Sequence, residues 1–323
     1  MSDPLKRAAA ERAAGLVEND MAVGLGTTRK AYKPMTVSSR TDSQGRPAAI
    51  SLLLSDVDGT LVTKDKRLTP ATIEAVRRLG ENGITFAITS SRPPRGLMHL
   101  VEPLNLTTPI AGFNSGMVMN RDGEVLRRFS LDAEITRQVI GILDARGIDV
   151  WFFHGNDWLV RDAAGVYVDH EHKTIGYGPT QTADFEHALG GATKIVGVSQ
   201  DFARLAQCET DMRNAFGDAA SIALSQSYYL DITHLDANKG SAVLALAELF
   251  KIPASQIATI GDMSNDVRMF EKSGFSIAMG NAADAVKAKA HVTTDSNQND
   301  GFAKAVERFI LPAAVAGPGQ RDP

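Results

Sequence analysis

The segment Ile50–Val62, ISLLLSDVDGTLV, decides the fold. An apolar run of strand length halts at Asp56, and Asp58, Gly59 and Thr60 follow at once. Such a run, bounded by a turn signal, reads as a strand buried on both faces of a parallel sheet. In open α/β sheets ligands sit outside the carboxyl ends of the strands, which is where both acids fall. Side chains two apart in an extended segment share a face, so Asp56 and Asp58 crowd two negative charges unless something positive is bound between them. A hard divalent cation with oxygen ligands supplies that charge, and Mg²⁺ is the usual one. Gly59 relieves the backbone where the chain turns back. A bare D-x-D-G is as often a surface turn, so the reading depends on whether distant parts of the same site also occur.

They do occur, each at the end of an expected strand. Thr69 as N-cap and Pro70 at the first helical position open a helix through ATIEAVRRLGENG, which Gly83 ends. ITFAIT then reads as a second buried strand, followed by Ser90, Ser91 and Arg92 before Pro93-Pro94. Hydroxyls there make an anion seat if the prolines start a helix, and alone they would more often read as a simple N-cap. Thr108–Phe113 is a third strand ending in Asn114-Ser115-Gly116, with a hairpin turn at Asn120–Gly123. Strand, helix, strand, helix, strand predicts a parallel sheet with right-handed crossovers.

From Leu131 to Asp231 the texture changes to two short strands, IDVWFFH and DWLVR, then TKIVGVS, SIALS and YYLDIT, separated by helices. This predicts an inserted α/β unit, an antiparallel sheet covered on one face by helices. The chain returns with DANKGSAVLALAELF, where Lys239 stands in the first turn of a helix against the macrodipole, as a nearby anion would explain. IATI is a further buried strand, and Gly261-Asp262-Met263-Ser264-Asn265-Asp266 follows its end. FSIAM, a helix from Asn281, HVTT and a final helix NDGFAKAVERF complete a doubly wound parallel-sheet core. The expected organisation is an extension and linker over 1–48, a core over 49–130 and 232–311, an inserted unit over 131–231 and a disordered tail over 312–323.

Composition narrows the classes. The 323 residues carry a net charge of −4, so no basic face advertises nucleic acid or a membrane surface. One cysteine, Cys208, excludes a disulfide framework and fits a reducing compartment. With no bilayer-length apolar run and no secretory signal, the cytoplasm is the expectation. Lys6–Thr28 resembles the opening of ribose-5-phosphate isomerase, a helix and a VGLGT turn, but the likeness breaks at Thr28-Arg29-Lys30 and carries none of that enzyme's machinery.

D-V-D-G-T-L-V, Ser90 with Arg92, N-K-G and G-D-x-x-N-D, in this order with an insertion between the second and third, resemble the haloacid dehalogenase superfamily. The likeness is to the Cof-like phosphatases of subclass IIB, with an α/β cap, and spans about residues 50–311. It implies that Asp56 is the nucleophile and Asp58 the general acid and base. It implies Mg²⁺ held by the Asp56 carboxylate, the Asp58 carbonyl and Asp262, with Asp266 behind them. Ser90, Lys239 and Asn265 would hold the phosphoryl group, with Arg92 and Asn114 as further substrate contacts. Two departures stand out: the family commonly has Thr-Gly-Arg where this chain has Ser90-Ser91-Arg92, and Asn-Gly where it has Asn114-Ser115-Gly116. Serine keeps the hydroxyl, and Ser91 would narrow the pocket.

Asp169–His172, DHEH, is not expected to be a metal site, because residues one or two apart on a helix do not share a face. Trp151, Phe152, Phe153 and Trp158 read as core or surface of the inserted unit, and Lys194 reads equally as a substrate contact or a solvated side chain. The resemblance implies a Mg²⁺-dependent phosphatase acting on a small phosphorylated metabolite, a sugar phosphate foremost. A phosphomutase or a non-catalytic phosphosugar-binding regulator is the alternative.

Overall fold

The computed structural model describes residues 49–314, so the extension of residues 1–48, its isomerase-like segment and the last nine residues lie outside the described residues. The described chain divides into two compact units. One comprises residues up to 88, 100–109 and from 242 onward, and the other comprises 89–99 and 110–241.

The first unit grows from β1 (Leu52–Asp56), whose residues are all buried. Full burial of Leu52, Leu53 and Leu54 means that both faces of the strand are covered, and each leucine contributes roughly 1.5–3 kcal/mol. Helix α1 (Pro70–Glu81) starts as expected: Thr69 is extended and its side chain accepts from Thr72 N–H, with Pro70 following. Strand β2 (Thr85–Thr89) comes next. Much later in the chain β12 (Ile257–Gly261), β13 (Phe275–Ala278) and β14 (Val292–Thr293) add to β1 on its other side. All three pair in parallel, with Leu52 opposite Ile257, Ala258 opposite Phe275 and Ile277 opposite Val292. The order β14-β13-β12-β1-β2 places the reversal of winding between β1 and β12. A doubly wound sheet opens a crevice at that reversal, at the carboxyl ends of its strands.

The end of the chain differs from expectation. The helix expected from Asn281 is a single turn, Asp284–Lys287, and Asn281 stands in the preceding loop. The expected tail starts too early: Leu311–Ala313 form a 3₁₀ turn, Ala313 is buried, and Ile50 N–H donates to its carbonyl at 2.7 Å.

In the second unit β3 is only Ile110–Gly112, shorter than the run Thr108–Phe113 suggests. Thr108 instead turns its hydroxyl to the Phe86 carbonyl at 2.8 Å. At the other end Phe113, Asn114 and Ser115 all have positive φ, at 50°, 54° and 73°. Two backbone bonds hold this left-handed stretch: Phe113 N–H donates to the Arg92 carbonyl and Asn114 N–H to that of Ser90, both at 2.8 Å. The hairpin β4 (Met117–Met119) and β5 (Val125–Arg128) follows, turned at Asn120–Gly123 as the sequence indicates. Ser115 thus keeps a glycine-type backbone at a position where the resembled family has glycine, and its buried hydroxyl has no hydrogen-bond partner. Ser115→Gly is therefore expected to stabilise the protein by about 1 kcal/mol, seen as a melting temperature higher by about 2–4 °C. A lower melting temperature would mean that the hydroxyl is held after all.

The rest of the second unit is a six-stranded sheet. In chain order its elements are α2 (Ala133–Ala145), β6 (Asp149–His154), β7 (Asp157–Val160), α3 (Val168–Ile175), β8 (Thr180–Gln181), β9 (Ala192–Val198), α4 (Phe202–Phe216), β10 (Ser221–Gln226) and β11 (Tyr229–Thr233). Strand order is β10-β11-β9-β6-β7-β8, antiparallel except for β7 with β8. Alternation along β6 sends Phe152 to one face and Trp151 and Phe153 to the other. Phe152 joins a core with Val139 and Leu143 of α2 and Leu205, Cys208 and Met212 of α4, the helical cover the sequence predicts. The opposite face is also covered: Trp151, Phe153, Trp158, Val196 and Tyr229 pack with Val168 and Ile175 of α3 and with Phe113 and Met117. The expectation of one covered face is corrected accordingly, and all four aromatic residues of 151–158 named above are core.

Candidate active site

At the end of β1 the chain turns tightly: the amides of Thr60, Leu61 and Val62 all point to the Val57 carbonyl. Gly59 takes φ +80° in this turn, and a Cβ on it would stand 2.2 Å from Asp262 Oδ2. The loop after β1 and the loop after β12 therefore touch through a missing side chain. Asp56, Asp262 and Asp266 each offer a carboxylate oxygen within 4.8 Å of the others, and all three are buried, Asp56 being 3% exposed. Two unit charges at that spacing repel by about 1 to 3.5 kcal/mol, depending on the effective dielectric constant. A set of buried carboxylate oxygens suits a hard divalent cation such as Mg²⁺, and it does not suit a soft metal. Among the described residues no other group of acids, histidines and cysteines is close enough to hold an ion.

Asp266 also builds the loop that carries Asp262. Its Oδ2 accepts the N–H groups of Asp262 and Met263, each at 2.8 Å. Gly261 makes room for it, since a Cβ there would lie 2.4 Å from Asp266 Cγ. Asn265 lies in the same 3₁₀ turn, Ser264–Asp266. Asp58 stands apart from the three-carboxylate group: its Oδ1 accepts Lys66 Nζ at 2.6 Å, and both side chains are partly exposed.

Two residues of this unit escaped sequence reasoning. Lys66, with φ 59°, sits in a turn closed by Thr63 and Arg67, and nothing in TKDKR distinguishes it from its neighbours. Asn281 looks like a helix cap, yet its Nδ2 donates to the Gly59 carbonyl at 2.9 Å and to Asp262 Oδ2 at 3.0 Å, while its Oδ1 accepts Asn297 N–H. One amide thus fixes both sides of the Gly59–Asp262 contact.

The second unit holds the other expected residues. Ser90 is buried at the end of β2: its N–H donates to the Ala111 carbonyl, its carbonyl accepts Asn114 N–H, and its hydroxyl accepts Arg92 N–H at 3.1 Å. Ser90, Arg92 and Asn114 are therefore one backbone-linked cluster. The prolines after it start a 3₁₀ helix, Pro94–Leu100, and not an α-helix. Lys239 is the first residue of α5 (Lys239–Phe250) and only 2% exposed, so it is not a solvated lysine at a frayed helix end.

Comparison with known proteins follows the same lines. Residues 53–306 match the haloacid dehalogenase-like hydrolase family. A 5-amino-6-(5-phospho-D-ribitylamino)uracil phosphatase of Bacillus subtilis is 27% identical over 272 residues, covering 80% of this chain and 97% of that protein. An HMP-PP phosphatase of an Enterobacter species is 26% identical, covering 70% of this chain and 83% of its own length. A crystal structure of a haloacid dehalogenase-like hydrolase from Bacteroides thetaiotaomicron superposes with a TM-score of 0.73 at 25% identity, covering 80% of this chain and 99% of that one. No helix among the described residues is long and apolar enough to cross a membrane.

Proposed function

The chain belongs to the haloacid dehalogenase-like hydrolase family, as an enzyme of its phosphatase branch, and from that premise we propose that it is a Mg²⁺-dependent phosphatase of small phosphorylated metabolites, sugar or polyol phosphates foremost. The observation that supports this reading most is the buried group of Asp56, Asp262 and Asp266 at the reversal between β1 and β12. Asp56 and Asp262 would hold the ion, together with the Asp58 carbonyl, and the bound ion would supply positive charge for a phosphate dianion.

In this reading Asp56 Oδ attacks phosphorus, forming an aspartyl-phosphate as the bond to the ester oxygen breaks. Asp58 gives its proton to the departing alkoxide. It then takes a proton from the water that attacks the aspartyl-phosphate, which releases inorganic phosphate and restores Asp56. Dividing one displacement into two lowers the barrier of each. Lys66 restrains the Asp58 side chain for this double duty. Ser90 and Lys239 hold phosphoryl oxygens, Asn265 supports them, and Arg92 and Asn114 shape the seat. By the same resemblance residues 131–231 would be the family's inserted cap. The ribityl-bearing phosphate ester in the name of the Bacillus relative agrees with a polyol leaving group.

The test is phosphate release from a panel of sugar, polyol and nucleotide monophosphates, with Mg²⁺ and with a chelator. Release from sugar or polyol esters that stops on chelation is the expected result. A folded protein whose melting temperature responds to Mg²⁺ but which releases phosphate from none of the panel would overturn the proposal.

A further inference from the structure

Helix α3 carries DHEH, and its inward face is unusual. Val168 and Ile175 are buried against the sheet, and Glu171 stands between them at helical spacing, on the same face. The other charged residues of the run point elsewhere: Asp169 pairs with Lys173 at 2.6 Å, and His170 and His172 are exposed. Below Glu171 lie residues of β9 and β11. Thr233 is opposite Lys194 in the ladder and Asp231 is two residues before it, so Lys194 and Asp231 are diagonal neighbours on one face. Their Nζ and Oδ2 are 2.7 Å apart, and each side chain is 12% exposed. Tyr229, two residues further along β11, shares that face.

These groups are only partly satisfied. The Tyr229 hydroxyl is buried against the Glu171 carboxyl, and Asp231 Oδ1 is buried without a hydrogen bond. Burial pushes the Tyr229 phenol up, so it stays a donor at neutral pH. Burial likewise raises the Glu171 carboxyl, while Lys194 and Arg92 act to lower it. Arg92 joins this cluster to the proposed phosphoryl seat: its guanidinium donates to the Thr174 carbonyl at 2.8 Å, and its amide donates to Ser90. Two carboxylates face two cations, so the cluster is formally neutral. An apolar group placed there would leave Asp231 Oδ1 without a partner, and a second phosphate would bring a dianion to a cluster with no net positive charge to receive it. A hydroxyl donates and accepts at once, and hydroxyls on neighbouring carbons match a donor and acceptors set side by side.

We propose that Glu171, Lys194, Asp231 and Tyr229 form the subsite that reads uncharged neighbouring hydroxyls of the substrate's leaving group, selecting polyol and sugar monophosphates over aryl phosphates and over bisphosphates. The inference rests on the phosphatase reading above. The aromatic floor suits it, since Trp151 and Tyr228 pack edge to face on the Tyr229 ring at 5.0 and 4.5 Å.

The test compares kcat/KM for ribitol 5-phosphate, p-nitrophenyl phosphate and fructose 1,6-bisphosphate in the full chain and in Tyr229→Phe and Asp231→Asn. Tyr229→Phe keeps the ring in the core, and it remains informative if Asp231→Asn fails to fold. The wild type should prefer the ribitol ester. In the variants kcat/KM for that ester should drop about 10- to 100-fold, mainly through KM, with the nitrophenyl ester changed less than about threefold. Equal losses on both esters, or no loss on either, would assign the cluster to holding α3 on the sheet and overturn the subsite. A wild type that prefers the bisphosphate or the nitrophenyl ester overturns it too, with the phosphatase reading intact. A protein that cleaves none of the three fails that reading, and the subsite falls with it.

Discussion

Asp56→Asn is expected to lower phosphate release by at least about 10⁴-fold, on the scale seen when an enzyme loses its nucleophile. The side chain keeps its shape, so the strand should hold: Leu52–Leu54 remain buried, and the protein should melt as a folded domain. What goes is the anionic oxygen that attacks phosphorus. Asparagine also contributes one ligand charge fewer to the group formed with Asp262 and Asp266, so the rise in melting temperature on adding Mg²⁺ should shrink. The two readouts separate two roles. A rate within tenfold of the wild type would remove Asp56 as nucleophile and leave hydrolysis by a water molecule held among the other carboxylates.

Gly59→Ala should also be strongly damaging, although it removes no functional group. Alanine pays for φ +80° with about 1–2 kcal/mol of backbone strain. Its methyl would also enter the Asp262 carboxylate, 2.2 Å from Oδ2 and 2.8 Å from Cγ. Asp262 cannot yield freely, because Asn281 holds its Oδ2 and the Gly59 carbonyl with the same amide. The expected outcome is a protein that folds with a lower melting temperature, gains little stability from Mg²⁺ and loses about 10²–10³ in rate. A variant with wild-type Mg²⁺ response and rate would show that the two loops separate without cost.

Those two positions were legible because local signals coincide with the site. A leucine run cut by Asp56, a glycine at the turn and Thr69-Pro70 at a helix start each report a property of a few neighbouring residues. GDMSND is legible for the same reason. Asn281 was not, since its partner Gly59 is 222 residues away and no periodicity encodes such a pairing. The left-handed run of Phe113–Ser115 was hidden too: its support comes from the carbonyls of Ser90 and Arg92, and three consecutive non-glycine residues at positive φ contradict local preference. Glu171 illustrates a third case. Its spacing from Val168 and Ile175 was readable, but that this face turns inward depends on Trp151, Val196 and Tyr229 awaiting it across the sheet.

The pairing of β1 with β12 has a consequence for synthesis. Ser51 Oγ donates to Gln256 Oε1 across a separation of 205 residues. At ~5–20 residues per second, a ribosome delivers that partner roughly 10–40 s after β1 has emerged. Throughout that interval β1, whose five residues are all buried in the finished fold, has an open edge on the β12 side, the situation in which nascent chains recruit chaperones or stick to one another. Substitutions in 257–259, away from the Asp262 loop, should therefore show first as lost yield in the growing cell, with the survivors turning over normally.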